Sequence, residues 1–367
     1  MVDERLIKMA KVLVNYSLSV KEGDSLLIQG HEITIPFIKE VYKEAIIKGA
    51  NPDVRVIVEE LQEMLFKYGS EEQIKYVSPV IQCSTEKYNT ALRIGGSFHS
   101  KPLINIDSAR IGSYEASRRK TGSSEQRRTL EGSMRWCITH FPTVAGAMEA
   151  NMSLSEYEDF VFSACFADKE DPIAEWIKLK EDQQRIADFL MKRDHIRIVA
   201  KDTDLSLKVG GHAWINSCGT TNLPGGEVFT GPVEDSLNGC IRYTFPAIKS
   251  GTQVEDVRLT FENGRVVKAS AKQGEEFLNT MIATDKGSCY AGEFAFGTNY
   301  SIDRFTNNIL FDEKIGGTIH IALGAAYPST GSKNESGLHW DMLCDMREGG
   351  EVYADGELIY KNGNFIF

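Results

Sequence analysis

The sequence predicts an N-terminal open α/β domain over residues 1–193 and a C-terminal β-rich α+β domain over 194–367 that carries a dinuclear metal site. Three observations lead there. Helical and β-rich segments alternate through the first half, which is the pattern of an open α/β sheet. Short β-rich runs joined by Asn-Gly and Asp-Gly turns fill the second half, where helices are scarce. Acid- and histidine-bearing segments gather in that same half. A chain of 367 residues is also long for one core and suits two domains.

Taken in order, Glu4 to Leu18 carries apolar residues at helical spacing (Leu6, Ile7, Ala10, Val14), and Lys21-Glu22-Gly23-Asp24 turns into the strand Ser25 to Ile28. A second helix is predicted from Ile35 to Lys48, ending at Gly49, and a strand from Val54 to Val58. The polar, basic stretch from Ala109 to Arg128 reads as a solvated helix. From Ser153 to Lys192 the pattern is helical, opened by the capping-box-like Ser153-Leu154-Ser155-Glu156. The character changes near Asp194. His195 to Val199 reads as a strand, and Asn263-Gly264 joins Val257–Phe261 to Val266–Ala269 in a hairpin with a type I′ turn. Asp355-Gly356 does the same for Val352-Tyr353 and Leu358–Tyr360, and one helix runs from Glu275 to Thr284.

Composition narrows the function. A net charge of −11 argues against nucleic-acid and anionic-membrane partners, which require a basic surface. No apolar run approaches a membrane span, and the charged start MVDERLIK is unlike a signal peptide, so a cytoplasmic protein is expected. Seven scattered cysteines without a C-x-x-C argue against a disulfide framework or a zinc knuckle. His31-Glu32 begins like H-E-x-x-H, but Ile35 stands where the second histidine belongs. G-x-G-x-x-G after a strand, a correctly spaced phosphate loop and a G-x-S-x-G elbow are all missing.

Four segments remain. Leu223-Pro224-Gly225-Gly226 releases Glu227 onto a strand. Gly292-Glu293-Phe294-Ala295-Phe296 sets a glutamate in apolar company, where a carboxylate needs a cation or donors. Ile319-His320-Ile321 puts a histidine in an aliphatic run, the usual setting of a core histidine, with Tyr327 seven positions on. In Leu338-His339-Trp340-Asp341, an extended backbone turns His339 and Asp341 to one face and Trp340 to the other. Three carboxylates and two imidazoles suit a pair of divalent cations sharing a carboxylate and a water, with zinc, cobalt and manganese all open. His99, His140, His195 and His212 lack such neighbours and read as structural or surface residues.

At these segments the sequence closely resembles the aminopeptidase T / aminopeptidase S family of metal-dependent aminopeptidases, over essentially the whole chain. The resemblance includes "LVNYSL" (13–18), "MSLSEYE" (152–158), "NLPGGEVFTGPVEDS" (222–236), "FGTNYSIDRFTNNILFDEKIGGTIHIALG" (296–324) and "LHWDMLCD" (338–345). It implies that Glu227, His320, His339 and Asp341 are metal ligands, and that Glu293 is a bridging ligand or the carboxylate nearest the catalytic water. It matches Tyr327 to a tyrosine of the family's catalysis, and makes Glu313 of "DEKIGG" either a partner of a ligand or the general base. It further implies two divalent ions per subunit, peptide substrates with a free N-terminus, and a homodimer whose two-domain subunits enclose the active-site cavity. The expected reaction is hydrolysis of the first peptide bond by a metal-activated water. A deacylase using the same water chemistry, or a non-catalytic metal- or peptide-binding protein on this fold, are the alternatives.

Overall fold

A computed structural model describes residues 3–367, without the side chain of Lys120. The chain forms two compact units. The first runs to Glu175 and regains Gly219–Pro224; the second comprises Trp176–Cys218 and Gly225–Phe367.

The first unit is built on a parallel five-stranded sheet in the spatial order Asn51–Ile57, Ser25–His31, Thr90–Gly95, Arg135–His140, Asn222–Leu223. Parallel neighbours require crossover connections, which the helices supply. The expected first helix forms over Glu4–Val12, capped by the Asp3 carboxylate accepting from Arg5 N–H at 2.9 Å, and widens into a π-helical turn over Leu13–Ser17. It buries Leu6, Met9, Ala10 and Val12. The second forms over Ile35–Ile47.

The basic stretch is indeed helical, Ser108–Leu130, but its arginines are not simply solvated. Three of them reach the C-terminal ends of the three short helices Glu60–Tyr68, Glu71–Lys75 and Pro79–Lys87. Arg110 donates to the carbonyls of Phe66 (2.9 Å) and Gly69, Arg118 to those of Ile74 (3.3 Å) and Tyr76 (3.2 Å), and Arg128 to that of Thr85 (2.6 Å). Last-turn carbonyls lack partners within their own helix and form its negative pole, so each guanidinium satisfies both needs. The local basicity is thereby used internally.

The predicted helical run 153–192 divides into Leu154–Ala164 and Pro172–Leu190. Ser153 and Glu156 form the capping box anticipated at its start. The break follows from Asp171-Pro172: proline disfavours a helical residue before it, and the Asp171 carboxylate accepts from the N–H groups of Ile173 and Ala174, both at 3.1 Å.

The second unit contains two large antiparallel sheets and a two-stranded antiparallel ribbon, Ala247–Lys249 with Thr252–Val254. Eight strands follow the order Arg265–Ser270, Arg258–Glu262, Asn238–Arg242, Thr203–Lys208, His195–Ala200, Glu351–Ala354, Glu357–Lys361, Asn364–Phe365. Both predicted hairpins are in this sheet. Their turn residues, Asn263-Gly264 and Asp355-Gly356, all have positive φ, as a type I′ turn demands. The other sheet has five strands, His339–Asp345, Thr318–Gly324, Ala291–Gly297, Glu227–Thr230 and Ile215–Ser217. One hydrophobic cluster joins side chains of both sheets, among them Ile196, Ile198, Leu205 and Leu259 with Phe294, Phe296, Ile321 and Trp340.

Candidate metal centre

The five-stranded sheet separates core from chemistry by parity. On its inner face stand Phe294 and Phe296, Ile319, Ile321 and Leu323, and Trp340, Met342 and Cys344, all in the hydrophobic cluster. The alternate positions of the same strands are Glu293 and Ala295, His320 and Ala322, His339 and Asp341, and on the next strand Glu227 and Phe229. Ladder register aligns them: Glu293 is opposite Ala322, which is opposite Asp341, while Gly324 faces His339 and Gly297 faces Glu227. Directly opposed residues share a face, so all five predicted ligands project from one side of the sheet. Small residues, Ala295, Ala322, Gly297 and Gly324, fill the positions between them and leave room above the sheet.

Two glycines make this possible. Gly226, at φ +124°, brings the turn against Asn299, where a Cβ would collide with that residue's own Cβ. Gly292 lies where the ladder shifts between Ala291 and Glu293, and a Cβ there would run into the Gly324 carbonyl. The bulge re-aims Glu293 relative to Ala291.

His320 Nε2 lies 3.6 Å from Glu227 Oε2, 3.5 Å from Glu293 Oε1 and 4.0 Å from Asp341 Oδ1. His339 Nε2 lies 3.4 Å from Glu293 Oε2 and 3.5 Å from Asp341 Oδ1. These separations are long for good hydrogen bonds and suit donors arranged around an intervening ion. Two triads emerge, Glu227–Glu293–His320 and Glu293–His339–Asp341, each with ligand atoms within 4.8 Å of one another. Glu293 belongs to both, with one oxygen toward each imidazole.

The polar accounting fits a cation as well. Among the described residues, Glu227 Oε2, Asp341 Oδ1 and both ring nitrogens of His320 are buried without a hydrogen-bond partner. Buried polar atoms in native proteins are normally satisfied, and here several unsatisfied ones cluster around a single point. His339 is already oriented: its Nδ1 is 2.8 Å from the Ala325 carbonyl, which can only accept, so Nδ1 donates and Nε2 offers its lone pair to the site. Every candidate donor is nitrogen or carboxylate oxygen, a set open to zinc, cobalt or manganese.

The electrostatics are those of acids and imidazoles held together. Burial would lower the His320 imidazole, but Glu293, Asp341 and Glu227 outweigh it and push it up to about 9. Burial is likewise overcome at His339, where Asp341 and Glu293 push the value up to about 11. Burial raises the Asp341 and Glu293 carboxyls, yet the imidazoles leave both below the ordinary carboxylate range. For Glu227 burial prevails, and it is raised despite Lys314 and His320.

The remaining predicted residues lie beside this cluster. The Tyr327 ring is 5.3 Å from that of His339 and 5.4 Å from that of Phe229, and the residue is 45% exposed. Partial burial and the Glu293 and Asp341 carboxylates hold its phenol well above the usual value, so it stays a donor. Glu313 follows the short helix Ile309–Asp312 and pairs with the Lys314 ammonium. Burial pushes Glu313 up to about 8, against the opposing pull of Lys314.

Sequence reasoning did not single out two further residues. Lys314 is fully buried, 3.7 Å from Glu227 Oε1. Gln183, buried on the helix Pro172–Leu190, donates through Nε2 to the Glu227 carbonyl at 2.6 Å. A lysine between acidic and glycine-rich residues and a glutamine on a helix both read as solvent-facing, and their contacts lie far away in sequence.

Known proteins resemble the chain over nearly its whole length. The sequence is 28% identical to aminopeptidase AmpS of Bacillus subtilis (strain 168), with 99% of each chain covered. It is 27% identical to aminopeptidase 2 of Geobacillus stearothermophilus, over 100% of this chain and 98% of that one. The fold is similar to that of wild-type AmpT from Thermus thermophilus, with a TM-score of 0.87 at 23% identity and 99% of both chains covered. The model of the thermophilic metalloproteases (M29) matches residues 2–365, nearly the full length that carries the two donor triads, and the chain belongs to that family.

Proposed function

We propose that the chain is a metal-dependent aminopeptidase that hydrolyses the first peptide bond of peptides with a free N-terminus. The observation that carries this reading is the sharing of Glu293 between two donor triads, which suits two divalent cations set side by side. Glu227, Glu293 and His320 would hold one, and Glu293, His339 and Asp341 the other. Such a pair, of zinc, cobalt or manganese, supplies Lewis acidity, lowering a water's pKa from ~15.7 toward ~7 and polarising the scissile carbonyl.

The chain's own groups do the rest. Glu313 lies outside both triads and beside the Lys314 ammonium; with two cations drawing its raised carboxyl value back down, it would accept the water's proton as a carboxylate and deliver it to the leaving amine. The Tyr327 hydroxyl, kept protonated, donates to the oxyanion, a contribution of about 2.7–4 kcal/mol for one such donor. Four carboxylic residues around the site favour a substrate that brings a free amine. The names of the relatives support peptides as substrates, the family resemblance supports a homodimer, and the composition supports a cytoplasmic setting.

The test compares a chromogenic amino-acid amide with its N-acetylated form, with and without added cation. Metal-dependent turnover of the free amine alone is expected. Release of acetate from the acetylated compound, with its chromogenic amide left intact, would make the protein a deacylase, and cation binding without turnover of either would make it a binding protein.

A further inference from the structure

Among the described residues, Lys314 is the lysine whose ammonium lies beside a donor carboxylate, and neither the five donors nor the proton transfers make use of it. Its side chain is fully buried, with Nζ 3.7 Å from Glu227 Oε1 and in contact with Glu313 Oε1. Its backbone is fixed on both sides: Lys314 N–H donates to the Phe311 carbonyl at 3.0 Å, and its carbonyl accepts from Asn299 N–H at 3.1 Å. The ammonium is therefore a built feature of the site's wall.

Its placement is lopsided. Glu227 presents Oε1 to Lys314 and Oε2, 3.6 Å from His320 Nε2, to the first triad. The Gln183 hydrogen bond to the Glu227 carbonyl fixes the backbone from which that carboxylate projects. With one oxygen engaged by an ammonium, Glu227 has one left for a cation. In the second triad the Glu293 and Asp341 carboxylates face the His339 imidazole at 3.4 and 3.5 Å, and Lys314 acts on Asp341 less than on Glu227. Lys249 also approaches that side, where it donates to the His339 backbone carbonyl. A fixed positive charge beside the first triad opposes a second positive charge there, and at these separations the effect is large even at an effective dielectric near 20.

Resting on the two-cation reading above, we propose that Lys314 is a positioning residue. It restricts Glu227 to one-oxygen coordination and makes the cation position at Glu227–His320 the more weakly held of the two. The enzyme then keeps one cation firmly and takes up the other as its concentration allows.

The test is a Mn²⁺ titration of the full chain against a competing chelator, with bound metal counted directly. For the wild type, two ions are expected, the weaker class at least ~10-fold weaker than the other. Glu227→Gln should remove the weak class and Asp341→Asn the strong one. Lys314→Met, or Lys314→Gln where Met is poorly tolerated, should tighten the weak class ~10-fold or more and move the strong class by less than ~3-fold. Lys314→Arg should retain the wild-type difference. A residue needed only for packing would predict the opposite, looser binding in every neutral variant.

The proposal is overturned if folded Lys314→Met or Lys314→Gln leaves the weak class unchanged or weakens it. It is equally overturned if Glu227→Gln removes the tighter class, a result that requires no Lys314 variant to fold. A single ion at saturation in the wild type would instead sink the two-cation reading itself.

Discussion

Ala322 stands directly opposite Asp341 in the antiparallel ladder, and its methyl forms the floor between that carboxylate and Glu293 on the other side. The residue is fully buried, so a larger side chain has nowhere to go except up among the ligands. Ala322→Val is expected to cost about 1–3 kcal/mol of stability. It should also cut bound metal more sharply than an equally destabilising change on the inner face, such as Ile321→Val. Metal content at matched thermal stability checks this; equal metal content in the two variants would count against the floor.

The two glutamates separate by readout. Glu293→Gln removes the carboxylate common to both triads, so metal content and turnover should fall together. Glu313→Gln leaves both triads whole, so metal content should persist while turnover drops by about 10²–10⁴. Inductively coupled plasma analysis beside a kinetic assay decides, and metal loss in Glu313→Gln would make that residue a ligand instead.

Gln183 supports the site through the backbone. Replacing it with leucine leaves the Glu227 carbonyl without this donor, at a cost of about 1–3 kcal/mol. Thermal melts of the chelated and metal-loaded protein should both shift downward, with the larger shift in the loaded form, because the ligand it steadies contributes only there.

In the first unit, the Arg118 guanidinium serves the end of the helix Glu71–Lys75 and stacks 3.3 Å from the Tyr114 ring centroid. Arg118→Gln should lower stability by about 1 kcal/mol. Hydrogen exchange should accelerate in 71–76 and leave the donor strands of the second unit as they were. Uniform acceleration across the chain would show that the effect is not a local cap.

His140 carries a pH dependence whose sign is fixed. Burial pushes its imidazole down to about 4 from an ordinary 6.5, so the fold favours the neutral ring. Above pH 6.5 both folded and unfolded states hold it neutral and nothing is lost. As pH falls from 6.5 to 4, the unfolded state takes up a proton that the folded state refuses, and stability declines by up to about 3 kcal/mol. Chemical denaturation at pH 7 and pH 4.5 should show this component in the wild type, and His140→Asn should remove it.

Much of the site is legible in the chain because strand periodicity is local. His339 and Asp341 flank Trp340, and period two alone puts the pair on one face and the indole in the core, where it packs edge-on to Phe277 at 6.0 Å. His320 is harder to read, since its neighbours Ile319 and Ile321 make it resemble a core histidine. It is fully buried and also faces three carboxylates, so the two readings coincide. Lys314 and Gln183 could not be read this way. What makes them matter is proximity to Glu227, 87 and 44 residues distant, which depends on how separate elements pair. Likewise, the Ser153–Lys192 periodicity hides a break that only the Asp171-Pro172 pair announces.

The alternation along Glu293–Gly297, Thr318–Gly324 and His339–Asp345 has a consequence for how the chain finds its structure. A slip of one residue between these strands would drive His320 into the oily interior and turn Ile319 and Ile321 among the carboxylates. Buried charge without a partner is costly enough to make any such misaligned sheet short-lived. The groups that grip metal in the finished molecule thus also serve, before any metal arrives, as a proofreading mark for strand alignment.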